Sequence, residues 1–135
     1  MVPIDTNIVA YLLIEGDHTE AAQDLHRIDP DWRSEAFLLV EFTNVLASYL
    51  ATKRTTVVIA QESLANAIDL LDGKLARIPH PKVLTMSDRY RVSAYDARFL
   101  ALAEQLGRRL VTEDSKLRAA APTLTQSLAE ALATV

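Results

Sequence analysis

The sequence predicts an α/β domain, a parallel β-sheet flanked by helices on both faces, and three observations carry that prediction. Short apolar runs alternate with longer segments of helical period, as in Val2-Pro3-Ile4 ahead of residues 8–14 and Leu110-Val111-Thr112 ahead of residues 115–120. Strands joined by helical crossovers run parallel. The 135 residues are 50% hydrophobic and 24% charged, the balance of one domain with its own core, so a single domain over residues 1–135 is expected. Acidic residues directly follow the predicted strands, where an open α/β sheet carries its ligand crevice.

Each element follows from local pattern. Val2-Pro3-Ile4 is a strand, Asp5-Thr6-Asn7 a polar turn, and the apolar residues 8–14 a helix that Glu15-Gly16-Asp17 breaks. Residues 19–28 resume a helix with Ala21, Ala22, Leu25 and Ile28 near its period, and Pro30 ends it. A second strand is expected around residues 32–34. Residues 37–50 are helical, with Leu38, Phe42, Val45, Leu46 and Tyr49 along one side, and Lys53 and Arg54 suit the end of that helix. Residues 55–71 form the next helix, because Leu64, Ala67, Ile68 and Leu71 keep the period and Gly73 stops it. Pro79 and Pro81 bracket a loop, and residues 82–86 are the next strand candidate. Ser93 introduces a helix over residues 94–106, closed by Gly107. The strand Leu110-Val111-Thr112, a brief helix over 115–120 and a last helix over residues 125–133 complete the chain.

Composition narrows the chemistry. With no cysteine, disulfides, thiolate catalysis and cysteine-bound zinc or iron–sulfur sites are excluded. The three histidines, His18, His26 and His80, are too dispersed for an imidazole-rich site, so any metal is expected to be held by oxygen. No apolar run approaches the roughly 20 residues of a membrane span. Residues 1–4 run into Asp5 with neither a basic stretch nor a long apolar one, which makes the cytoplasm the expected compartment. The net charge of −4 divides unevenly, with 4 basic and 12 acidic residues up to Gly73 against 10 basic and 6 acidic after it. A protein that coats nucleic acid would be basic overall, so any polyanion is expected to be handled locally, with cations offsetting the acids.

Four carboxylates are the candidates for chemistry. Asp5 and Asp114 follow predicted strands and equally suit helix N-caps, and Ser93-Ala94-Tyr95-Asp96 matches a capping box. Glu41 sits among apolar neighbours with no lysine or arginine three or four residues away, so it either bends out to solvent or needs a partner from elsewhere. Gathered in one crevice, four carboxylates would either take up protons or bind a hard divalent cation such as Mg²⁺ or Mn²⁺. Such a cation activates water and stabilises the leaving oxygen of a phosphodiester.

Four motifs in this order carry a family resemblance. They are Ile4-Asp5-Thr6-Asn7, Val40-Glu41-Phe42-Thr43-Asn44-Val45-Leu46, Ser93-Ala94-Tyr95-Asp96-Ala97 leading into Phe99-Leu100-Ala101-Leu102-Ala103, and Leu110-Val111-Thr112-Glu113-Asp114. Over nearly its whole length the chain resembles the PIN-domain family, and within it the VapC-type ribonuclease toxins of toxin–antitoxin pairs. The resemblance implies a PIN-like fold with Asp5, Glu41, Asp96 and Asp114 around Mg²⁺ or Mn²⁺. Asp5 and Asp96 would be the principal ligands, with Asn7 and Thr112 orienting the carboxylates from behind. It also implies an RNA substrate, metal-dependent phosphodiester hydrolysis, a cognate antitoxin and a homodimer. Residues 8–14 and 55–71 would form the antitoxin's groove.

One departure is expected. Relatives carry a longer segment with an extra helix before the Tyr-Asp-Ala motif, whereas Val83 and Ser93 are separated by nine residues, so this region should be trimmed. Arg89, Arg91 and Arg98 lie nearby and are candidates for phosphate contacts or for ordinary surface ion pairs. Two other readings stay open. One is a PIN-like module that binds RNA or protein without catalysis; the other is an aspartate-based phosphoryl-transfer protein with Asp5 as nucleophile.

Overall fold

A computed structural model of the chain describes residues 1–134 and shows an α/β architecture. Strands β1 (Val2–Pro3), β2 (Trp32–Glu35) and β3 (Leu75–Ala76) pair in parallel in the order β1-β2-β3. Strands β4 (Leu110–Val111) and β5 (Thr125–Gln126) form a second parallel pair. A parallel bridge between Ile4 and Val111 joins β1 to β4, so all five strands advance in one direction and present their carboxyl ends on one side.

Among the described residues, eight helices cover the sheet: α1 (Thr6–Leu13), α2 (Thr19–Ile28), α3 (Phe37–Ala51), α4 (Val57–Leu70), α5 (His80–Tyr90), α6 (Ala94–Leu106), α7 (Ser115–Ala120) and α8 (Leu128–Ala133). One group centres on α1, which packs against α2, α3 and α4. The other is α5 with α6, and α6 lies across β1, β2 and β4. Its run Phe99-Leu100-Ala101-Leu102-Ala103 is buried throughout, joining Ile4, Trp32, Leu38, Phe42 and Leu110 in one core. That continuous burial holds the amino end of α6, and Asp96 on its first turn, against the carboxyl ends of the strands.

Three expectations are corrected. Residues 82–86 belong to α5 and not to a strand. Pro81 stands in the first turn, where a missing N–H costs nothing, and Val83 and Met86 are buried three apart while Leu84 and Thr85 face solvent. The segment before the Tyr-Asp-Ala motif is therefore not trimmed of its helix; α5 fills it, ending at Arg91 with φ 55 in the left-handed region. The last predicted helix begins late, because Thr125 and Gln126 pair with β4 before Ser127 and Glu130 form a reciprocal capping box for α8. Strand β3 is additional to the predicted elements, and α4 starts at Val57 because the Thr56 hydroxyl caps it by accepting the Ile59 N–H at 3.3 Å.

Candidate metal centre

All four candidate carboxylates line one pocket of about 480 Å³ at the carboxyl end of the sheet, together with Asn7. Asp5 leaves β1 and caps α1, accepting the Ile8 N–H at 3.4 Å. Asp114 leaves β4 and caps α7, accepting the N–H groups of Lys116 at 2.9 Å and Leu117 at 3.1 Å. Ser93 caps α6 by accepting the Asp96 N–H at 3.1 Å, while the Asp96 carboxylate lines the pocket. Capping and site-building are thus one arrangement: a residue at a helix start after a strand faces the crevice, and the N-terminal end of the helix dipole favours its charge.

Glu41 comes from α3 and does not swing out to solvent. It is half-buried and accepts the Thr6 hydroxyl at 2.6 Å, a partner that lies 35 residues away in sequence. Thr112 is fully buried; its hydroxyl accepts the Asp114 N–H at 3.1 Å, and the same residue acts to lower the pKa of the Asp5 carboxyl.

The electrostatics follow from burial. Asp5, 9% exposed, is pushed up to about 7, chiefly because burial disfavours its charged form. Hydrogen bonds from Thr112 and Ile8 oppose this, and the charges of Glu41 and Asp96 add to it. Glu41 and Asp96 are raised as well, burial again leading, with Asp96 acting on Glu41 and Asp114 on Asp96. Among the described residues, no lysine or arginine lines the pocket.

The donor set suits a hard divalent cation in its chemistry: four carboxylates share one pocket and, among the described residues, no lysine or arginine lines it. Among the described residues, however, no three carboxylate or imidazole side chains stand close enough to hold one ion as they are placed. The pocket is acidic and open, and closing on a cation requires side-chain rotation.

Of the three arginines considered as phosphate contacts, Arg89 pairs with Glu104 at 3.0 Å and Arg91 with Asp88 at 3.4 Å. Neither lines the pocket. Arg98 lines an adjoining cavity, where its Nε lies 3.4 Å from the Glu35 carboxylate. Glu35, Arg77 and His80, which share that cavity, carry no sequence signal of their own: each is brought in by a chain reversal around β2, β3 and α5.

A parallel α/β sheet with an uncompensated cluster of acids at its carboxyl end defines the class of protein. A family model for the PIN domain matches residues 2–122, and the chain belongs to that family, whose members are typically metal-dependent nucleases. Its fold is similar to that in the crystal structure of PAE2754 from Pyrobaculum aerophilum, with a TM-score of 0.71 at 21% identity over 97% of this chain and 92% of that one. No curated protein matches the chain. Among the described residues, no helix is long and apolar enough to cross a membrane.

Proposed function

We propose that this chain is a Mg²⁺- or Mn²⁺-dependent endoribonuclease, the toxin of a VapBC-type toxin–antitoxin pair acting in the cytoplasm. The observation that carries the reading is the convergence of Asp5, Glu41, Asp96 and Asp114 on one pocket that supplies no cation of its own. Asp5 and Asp96 would be the principal metal ligands, and Glu41 and Asp114 would complete the acidic set. When bound, the metal supplies Lewis acidity toward a phosphodiester and lowers the pKa of water. The chain's own groups hold the carboxylates in place: Thr6 fixes Glu41, Thr112 accepts the Asp114 N–H and favours the charged form of Asp5, and Asn7 lines the pocket as an amide donor.

The homodimer and the antitoxin belong to this proposal. Val57, Val58 and Ile59 at the start of α4 are more than half exposed, and this uncovered apolar stretch supports a protein partner on the α1–α4 side. A non-catalytic binding module is the second reading, favoured by the open spacing of the carboxylates. One experiment separates the two. Purified protein is incubated with total RNA in Mg²⁺ or Mn²⁺, with EDTA and Asp96→Asn as controls, and the new ends are mapped. Defined cuts bearing 5′-phosphates, present only with metal and Asp96, establish the nuclease; intact RNA with a folded protein leaves the binding module.

A further inference from the structure

Asp5 and Asp96, the principal ligands proposed above, come from distant parts of the chain, yet both are tied to the end of β2. The fully buried Ser34 donates its hydroxyl to the Ile4 carbonyl at 2.7 Å, and the Ile4 N–H donates to the Arg33 carbonyl at 3.0 Å. The residue before Asp5 is therefore bonded to β2 through both of its backbone groups. Glu35, which follows Ser34 on β2, faces Arg98, and Arg98 shares a turn of α6 with Asp96.

Residues 80–106 carry α5 and α6, which pack on each other. Their polar contacts close among themselves: Lys82 and Arg89 both pair with Glu104, and the Ser87 hydroxyl donates to the Val92 carbonyl. Among the described residues, Arg98 with Glu35 is the one ion pair or side-chain hydrogen bond that joins residues 80–106 to the rest of the chain. The remaining attachment is packing, above all of Phe99, Leu100 and Leu102, and apolar burial alone is non-directional. The ion pair supplies the direction. Glu35 Oε1 accepts the Phe37 N–H at 2.9 Å, which fixes the carboxylate, and Arg98 Nε stands 3.4 Å from Oε2, an oxygen with no hydrogen bond among the described residues. Arg98 Nη1 donates to the Ala94 carbonyl at 2.8 Å, and Nη2 lies 3.4 Å from His80 Nδ1. One planar fork thus joins the end of β2 to the first turns of α6 and α5, a reach that the single ammonium of a lysine does not reproduce.

We propose that Glu35 and Arg98 are positioning residues that set the Asp96 carboxylate against Asp5, with the end of β2 as the common frame. Neither residue lines the carboxylate pocket, so they act by holding the amino end of α6 and not by touching a ligand. Their effect on a cation rests on the metal-centre reading above; the tie between β2 and α6 does not. Removing the pair should leave every carboxylate in the chain and still weaken the site they form.

The test uses the full chain and three readouts: the Mn²⁺ dissociation constant by calorimetric titration at pH 7.5, the urea unfolding midpoint, and metal-free amide exchange at Asp96 and Ala97, whose N–H groups are held by Ser93. In Glu35→Leu with Arg98→Ala the buried charge and its counter-ion leave together, so the unfolding midpoint should stay near that of the wild type. Mn²⁺ affinity should nevertheless fall about tenfold, and exchange at Asp96 and Ala97 should quicken. Arg98→Lys keeps Glu35 answered in charge but loses the fork, and should weaken Mn²⁺ in the same direction; it carries the measurement if the double variant does not fold. Leu25→Ala, in α2 and outside the pocket, should lower the midpoint while leaving Mn²⁺ affinity at the wild-type value, which is how a loss of stability alone reads. A double variant, or Arg98→Lys in its place, that binds Mn²⁺ as tightly as the wild type, or exchanges at the wild-type rate, overturns the proposal. A wild type that binds no Mn²⁺ sinks the metal reading instead, and exchange at Asp96 and Ala97 then decides by itself whether the pair holds α6.

Discussion

Asp5 and Glu35 sit at the carboxyl ends of adjacent parallel strands, and the two are buried almost equally, at 9% and 4% exposure. Their partners differ. Glu35 accepts the Phe37 N–H at 2.9 Å and faces the Arg98 guanidinium at 3.4 Å, so its charge is answered from within the chain. Asp5 has the Ile8 N–H and the Thr112 hydroxyl but no cation, and two further carboxylates press on it. A buried acid with an internal counter-ion belongs to the architecture; one without it is where an external cation is needed. That contrast separates a structural ion pair from a candidate metal centre on the same edge of the same sheet.

The largest expected effect lies on the unpaired side. Asp5→Asn and Asp96→Asn should each reduce RNA cleavage by more than about a hundredfold while leaving the circular dichroism spectrum unchanged. Full activity in either variant would break the contrast, because the unpaired acids would then have no chemical role.

Next in size is the pH response of the metal-free protein. The Asp5 carboxyl stands at about 7 in the fold against 3.8 when unfolded, so the native state holds a proton that the unfolded state has released. Its contribution is complete below about pH 4 and is lost as pH rises through 7, amounting to roughly 4 kcal/mol at most. Glu41 and Asp96 act in the same sense. Asp31, beside Arg33, and Glu104, beside Lys82, are held low and act oppositely, so the window to read begins near pH 4.5. In EDTA, the Tm of the wild type should fall between pH 4.5 and 7, and Asp5→Asn should flatten that fall.

The paired side yields a stability effect instead. Arg98→Ala strands the Glu35 charge in a buried place and should cost about 3 kcal/mol in urea unfolding, and adding Glu35→Leu should recover most of it. An Arg98→Ala protein as stable as the parent would show that Glu35 needs no counter-ion. The smallest effect is at Thr6→Val, which removes the hydroxyl that Glu41 accepts at 2.6 Å and should cost about 1 kcal/mol, read by the same unfolding curve.

What could be read from the sequence divides along similar lines. Asp5, Asp96 and Asp114 were legible because each follows a strand or opens a helix, positions that local pattern reveals and that topology turns toward the crevice. Helix α6 was legible for its length and its caps, Ser93 and Gly107. The Thr6–Glu41 bond and the Glu35–Arg98 pair were not, since they join residues 35 and 63 positions apart that only the folded sheet brings together. Strands β3 and β5 have two residues each, Leu75-Ala76 and Thr125-Gln126, and neither pair extends into an apolar run as β1 does into Ile4. Residues 82–86 misled as a strand because Lys82-Val83-Leu84-Thr85-Met86 reads as a β-compatible run, whereas burial follows the three-residue spacing of Val83 and Met86.

The central claim is that the unpaired carboxylates take up a divalent cation, and the most direct measurement is thermal melting of wild type and Asp96→Asn across a Mn²⁺ titration at pH 7.5. Ligand binding to the native state raises Tm with concentration. A saturable rise in the wild type that is absent in Asp96→Asn is the result predicted here. An equal rise in both proteins, or no rise in either, would contradict it.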